Sequence, residues 1–288
     1  MKDTIQKVDE IPVTLVVLLA YVTMAFLTGI VDYDIEKLDQ YGMLRPFQVA
    51  AGEWWRLFSA AFLHLGLLHL LMNGMSMISL GPELERSLGS VRFALLYLVS
   101  ALGGHVAVCF VYGPFGAVAG GSGALFGMLG GAVAMQMHTG RHVMSFLEFE
   151  GPRRLLFTIV IYLVAGAFLP FISNTGHAGG LVAGFLVTYL FLVPPRAGAR
   201  RLLAWRVAAA LLLAGCTFYA LRPVTRYEWL WNTSLTEPDA NRAERMRRAA
   251  LVSYFGRSNI SAADRWTWDV EVLRIEHEGD GPRPLDGR

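Results

Sequence analysis

Between Phe93 and Gly140 the chain carries not one Asp, Glu, Lys or Arg. A membrane-spanning helix needs about 20 mostly apolar residues, so this tract holds two. Gly113-Pro114-Phe115-Gly116 is its natural break and divides it near 93–112 and 121–138. The same test assigns a first span to Ile11–Ile30 and a second to Leu57–Gly81, closed by Gly81-Pro82. Leu155–Pro195 divides between Pro170 and Gly176 into a fifth and a sixth span. Leu202–Leu221 is a seventh, whose only charge, Arg206, lies close enough to one end to snorkel. Composition agrees: 17% of residues are charged, against about 25% in soluble domains. The expected fold class is all-α, a polytopic membrane helix bundle.

The short loops set the orientation, because Lys and Arg favour the cytoplasmic side. Arg86 and Arg92, then Arg141, Arg153 and Arg154, then Arg196, Arg200 and Arg201 fall in alternate loops. The intervening loops at 113–120 and 170–176 have no basic residue. The N-terminus is therefore expected inside and the C-terminus outside. The loop between the first two spans, with Lys37 and Arg45, fits this pattern poorly. The division expected is a cytoplasmic N-terminus at 1–10, a six-helix membrane core at 11–195, a basic loop and seventh helix at 196–221, and an extracytoplasmic polar tail at 222–288. In the tail, Ala243, Met246, Ala250, Leu251, Tyr254 and Phe255 recur at helical spacing. They describe one amphipathic helix, either lying on the membrane or solvated. The N-terminal apolar stretch lacks a signal-peptidase pattern, and Cys109 and Cys216 read as buried small hydrophobes. A formal net charge of +2 is too small to suggest nucleic acid as a partner.

Intramembrane polar residues are costly and mark candidate sites. With the N-terminus inside, the second, fourth and sixth spans all start at the outer face. His64, His69 and Asn73 fall early in the second, Ser122 at the start of the fourth and His177 at the start of the sixth. Taken alone, Ser122 in Gly120-Gly121-Ser122-Gly123 could be helix glue, a packing residue or a nucleophile. Two glycine stripes narrow the choice. Gly123, Gly127 and Gly131 recur every four residues, as do Gly176, Gly180 and Gly184. Such stripes let helix backbones approach closely. If they face each other, Ser122 and His177 meet at their outer ends.

An imidazole beside a serine hydroxyl can take its proton and make it a nucleophile. His69 and Asn73, four apart on one helix face, can donate to an oxyanion, as can the Ser122 amide at a helix N-terminus. His64 lies about 140° round an ideal helix from His69 and is expected to be structural. Phe126, one turn after Ser122, could stack on the imidazole or serve as ordinary core. No acid is placed to orient His177. The absence of an H-E-x-x-H motif disfavours a metal, and nothing calls for a cofactor.

These residues resemble the rhomboid family of intramembrane serine proteases. The features are Trp55-Arg56; His64, His69 and Asn73 as H-x-x-x-x-H-x-x-x-N; Gly120-Gly121-Ser122-Gly123 as G-x-S-G; and His177, Gly180 and Gly184 as H-x-x-G-x-x-x-G. The resemblance covers about 11–195, and the seventh span looks like the extra helix of six-plus-one rhomboids. It implies Ser122 as nucleophile, His177 as general base, and His69, Asn73 and the Ser122 amide as oxyanion hole. It also implies that Gly120, with Gly121 beside it, leaves room for substrate backbone, and that the first loop lies partly in the membrane. Two departures stand out: Phe126 where a stacking tyrosine is usual, and adjacent Glu85-Arg86 where the acid and base are usually spaced by one. The implied partners are transmembrane protein substrates and membrane lipid, and the expected location is a bacterial inner membrane. Two rivals are an inactive rhomboid-like client binder and a transporter. The transporter would call for a charge mid-membrane that the apolar tracts lack.

Overall fold

The computed structural model describes residues 11–50, 53–112, 117–138 and 172–192, with scattered positions in 160–164 and 206–250. The fifth span falls almost wholly outside the described residues, as do 1–10 and the tail beyond 250. The elements, in order, are α1 (Pro12–Thr28), α2 (Ile35–Gln40), α3 (Pro46–Ala50), α4 (Arg56–Ser59) with a 3₁₀ turn at Ala60–Phe62, α5 (Gly66–Leu88), α6 (Ser90–Tyr112), α7 (Ser122–His138) and α8 (Asn174–Val187), which a π turn extends over Thr188–Leu192. Among the described residues, α6 and the continuous stretch Asn174–Leu192 are each long and apolar enough to cross a membrane. α1 and α7 are shorter apolar helices.

α7 packs chiefly on α8 and α6, with α5 on its other side and α1 against α5. The glycine stripes make this possible. A Cβ on Gly180 or Gly184 would collide with the carbonyl of Gly123 or Gly127, respectively. A Cβ on Gly131 would lie 2.9 Å from Leu96 Cδ2 and from Thr188 Oγ1. Hydrogen stands in place of a side chain where Gly180 meets Gly123 and Gly184 meets Gly127, so dispersion between backbones helps hold α7 and α8 where lipid offers no hydrophobic drive.

The second span departs from expectation. The apolar run from Leu57 is broken at Gly66, whose φ of +84° favours glycine, and the segment before it turns through 92° relative to α5. α5 then runs past Pro82 to Leu88, so Glu85 and Arg86 lie in the helix and only Gly89 (φ +80°) separates it from α6. The lack of any charged residue from Leu57 to Gly81 concealed the corner, because hydropathy does not register a change of direction.

Glu85 explains the extension. α1 starts with Pro12 in its first turn and has no side-chain cap of its own. The Glu85 carboxylate instead accepts from Val13 N–H at 2.9 Å, Thr14 N–H at 2.8 Å and the Thr14 hydroxyl at 2.7 Å. A buried anion thus satisfies the orphan donors of a helix N-terminus on a neighbouring helix. Glu85→Ala is expected to cost roughly 3 kcal/mol, the scale of charge-assisted hydrogen bonds lost with buried donors left behind. Unfolding in mixed micelles would read it.

The first loop is folded rather than open. Arg56, buried, donates from Nη1 to the carbonyls of Asp39 at 2.7 Å and Met43 at 2.9 Å, and from Nε to Glu53 at 2.7 Å. Next to Met43, Leu44 exchanges backbone hydrogen bonds with Val118 at 2.9 and 3.0 Å. The loop therefore braces the strand-like stretch that leads into Ser122. Leu221, from the end of the expected seventh span, joins Leu44, Val49 and Leu57 in one apolar cluster. In the tail, Ala243, Met246 and Ala250 are buried, whereas Leu251, Tyr254 and Phe255 lie outside the described residues.

Candidate active site

The first turns of α5, α7 and α8 meet at one end of the bundle. Ser122 is the first residue of α7 and half-buried; His177 is the fourth residue of α8 and buried. Their side chains come together: Ser122 Oγ lies 2.8 Å from His177 Nε2. Phe126 stacks on the imidazole, with centroids 4.1 Å apart and planes 9° from parallel. A hydroxyl, an imidazole within hydrogen-bond reach and a ring fixing that imidazole's plane are the parts an activated nucleophile needs.

His69 and Asn73 approach the same segment from α5. Gly120 has φ +138°, in the region that favours glycine. A Cβ there would lie 2.8 Å from His69 Nε2 and 3.7 Å from Asn73 Nδ2. Two donors therefore converge beside the backbone just before Ser122, in space a side chain would otherwise fill. The Leu65 amide donates to His69 Nδ1 at 3.3 Å, so the neutral ring carries its proton on Nε2, the atom facing Gly120. Asn73 is buried, and among the described residues neither its Nδ2 nor its Oδ1 has a hydrogen-bond partner. A buried, unpaired amide is costly, and the cost is recovered if a reacting group pairs with it.

Gly121 serves differently. A Cβ there would run into the Tyr21 hydroxyl, which sits 2.8 Å from the Tyr97 hydroxyl, itself donating to the Ala61 carbonyl at 3.2 Å. Gly120 N–H donates to the Ala60 carbonyl at 2.8 Å. His64 is not in a helix but at the corner before α5, so its helical offset from His69 does not apply. Its ring lies edge-on to Tyr21 at 4.6 Å and to His69 at 5.3 Å. Among the described residues no group of three His, Cys, Asp or Glu is placed to hold a metal ion.

Sequence reasoning missed Ser173. Its side chain caps α8 by accepting from Gly176 N–H at 3.1 Å. A serine just before an apolar helical run is the signal that could have found it.

A rhomboid domain model matches residues 51–194. Over 197 residues the chain is 36% identical to Rhomboid protease GluP of Bacillus subtilis (strain 168), a match covering 68% of this chain and 37% of that protein. It is 36% identical over 169 residues to RHOMBOID-like protein 5 of Arabidopsis thaliana, covering 57% and 53%. With RHOMBOID-like protein 1 of the same plant it shares 39% over 146 residues, covering 51% and 36%. The chain thus spans about half or less of the length of these relatives. The matched domain takes in Ser122, His177, His69 and Asn73, and this chain, an integral membrane helix bundle, belongs to the rhomboid family.

Proposed function

We propose that this protein is an intramembrane serine endopeptidase that works through a Ser122–His177 dyad and an acyl-enzyme. The observation that carries the reading is the 2.8 Å contact between Ser122 Oγ and His177 Nε2 beneath the stacked ring of Phe126. Ser122 Oγ attacks the scissile carbonyl while its proton passes to His177 Nε2. The oxyanion is held by His69 Nε2–H, the Asn73 amide and the Ser122 N–H at the start of α7. Collapse breaks the C–N bond, His177 returns the proton to the leaving amine, and Ser122 keeps the acyl group. Water, deprotonated by His177, then attacks the ester and releases the new carboxylate.

The substrates are transmembrane segments of other membrane proteins, cut near the outer face, with this chain's N-terminus inside and seven spans in all. Helical peptide bonds are shielded by i→i−4 hydrogen bonding, so the substrate must unwind locally before attack. Residues that weaken helices favour that step.

The test is cleavage of a single-pass model substrate in liposomes. A Gly- or Pro-containing segment is expected to be cut faster than an all-Leu one, and Ser122→Ala to cut neither. A wild type inactive on several helix-destabilised substrates would favour client binding instead. Asn73→Ala, which removes one oxyanion donor, should lower kcat about a hundredfold. An Asn73→Ala rate within a few-fold of wild type would remove it from the hole.

A further inference from the structure

Resting on the dyad reading, we propose that Ser173 is a positioning residue that registers His177 over Ser122 by capping the helix that carries the base. In a Ser-His-Asp triad a carboxylate holds the imidazole in place. Here no Asp or Glu occurs between Glu150 and Glu228, so the tract that supplies the base supplies no acid with it. Among the described residues, packing by Phe126 and the backbone of the first turn of α8 both contribute to placing the ring.

The backbone contribution converges on one residue. Ser173 is extended, with φ −95° and ψ 96°, the conformation of an N-cap. Its hydroxyl accepts from Gly176 N–H at 3.1 Å, and its carbonyl accepts from the N–H of His177 itself at 3.0 Å. One residue therefore fixes both the peptide before the base and the base's own amide. The adjoining Thr175 hydroxyl reaches the Tyr112 hydroxyl on α6 at 3.3 Å, a lateral tie on the same turn.

This turn has little freedom to absorb error. A Cβ on Gly104 would lie 2.7 Å from the Gly176 carbonyl, and one on Gly123 would lie 3.4 Å from it. The first turn of α8 is thus wedged against α6 and the first turn of α7. Unwinding it by a fraction of a turn would carry the imidazole across the Ser122 hydroxyl rather than along lipid. The cap sets a catalytic distance as well as a helix end.

The experiment measures kcat and KM for model-substrate cleavage in liposomes, per folded molecule, for wild type, Ser173→Ala, Ser173→Thr and Ser122→Ala. Thr14→Val, which removes one hydrogen bond in the first turn of α1, to Glu85 at the end of α5 away from His69, is the control for a purely structural cap. Ser173→Ala is expected to lose about tenfold in kcat, short of the roughly hundredfold that a full ångström of misplacement costs, with KM unchanged. Ser173→Thr should restore kcat, and Thr14→Val should lower thermal stability while leaving kcat intact. If Ser173→Ala matches wild type while Ser122→Ala is inactive, the positioning role is wrong and the dyad stands. If Ser173→Ala fails to fold, Ser173→Thr decides: a folded Thr variant with kcat tenfold down overturns the proposal, and one with wild-type kcat supports it. Ser122→Ala as active as wild type would overturn both readings.

Discussion

Ser122→Ala and His177→Ala are each expected to abolish cleavage, a loss of at least about a thousandfold in kcat, and the double variant to be no worse than either alone. In the proposed dyad the two side chains act as one unit. Without His177 the Ser122 proton has no acceptor at 2.8 Å, and without Ser122 the imidazole has nothing to activate. Effects of groups acting as a unit are grossly non-additive. The side chains are small enough that both variants should keep the fold. Phe126→Ala tests the support separately, since it leaves both reacting atoms and frees the imidazole to turn. Quantifying product by gel with a fluorescent substrate would measure all four. Multiplying losses in the double variant would mean that the two residues serve different steps.

The largest effect on folding is expected from Gly184→Val. The site on Gly184 faces the backbone of Gly127, where even a Cβ would overlap the carbonyl oxygen, carbon and Cα. The neighbour is backbone and cannot rotate aside, so α8 must move away from α7. That separation would undo the contacts Gly180 makes with Gly123 one turn nearer the site. A cost above about 4 kcal/mol follows, beyond the usual range for overpacking. Gly215→Val offers the contrast, because among the described residues nothing lies within 4 Å of a Cβ there. Steric-trap or denaturant unfolding should find the first variant unfolded and the second unchanged.

These contrasts show what could be read from the chain alone. The proximity of Ser122 to His177 was legible because each is a polar group in a tract where polar groups are expensive, and because each sits near the end of a glycine stripe. The stripes were legible for the same reason: in lipid, four-residue spacing of small residues has few uses besides close packing. The corner at Gly66 was not. Leu57–Gly81 carries no Asp, Glu, Lys or Arg, and the turn is recorded in local conformations such as those of Leu63, Leu65 and Gly66. Glu85, beyond Gly81-Pro82 in the sequence, carries no local sign of a structural role. Its role as a cap for α1 depends on a contact 71 residues away in sequence, which no local pattern encodes. The first loop was similarly opaque. Asp39, Met43, Glu53 and Arg56 look like an ordinary solvated mixture until the guanidinium is seen to gather them. Long-range partnering was readable where facing glycine stripes mark it, as between Ser122 and His177, and not where a single buried charge makes the contact.

If Ser122 is a nucleophile activated by His177, an alkyl fluorophosphonate should capture it in the membrane-reconstituted protein, and peptide mass spectrometry would map the adduct. One modified residue, Ser122, is expected in wild type and no adduct there in His177→Ala. An adduct on a different serine, or modification of Ser122 at the same rate without His177, would contradict that reading.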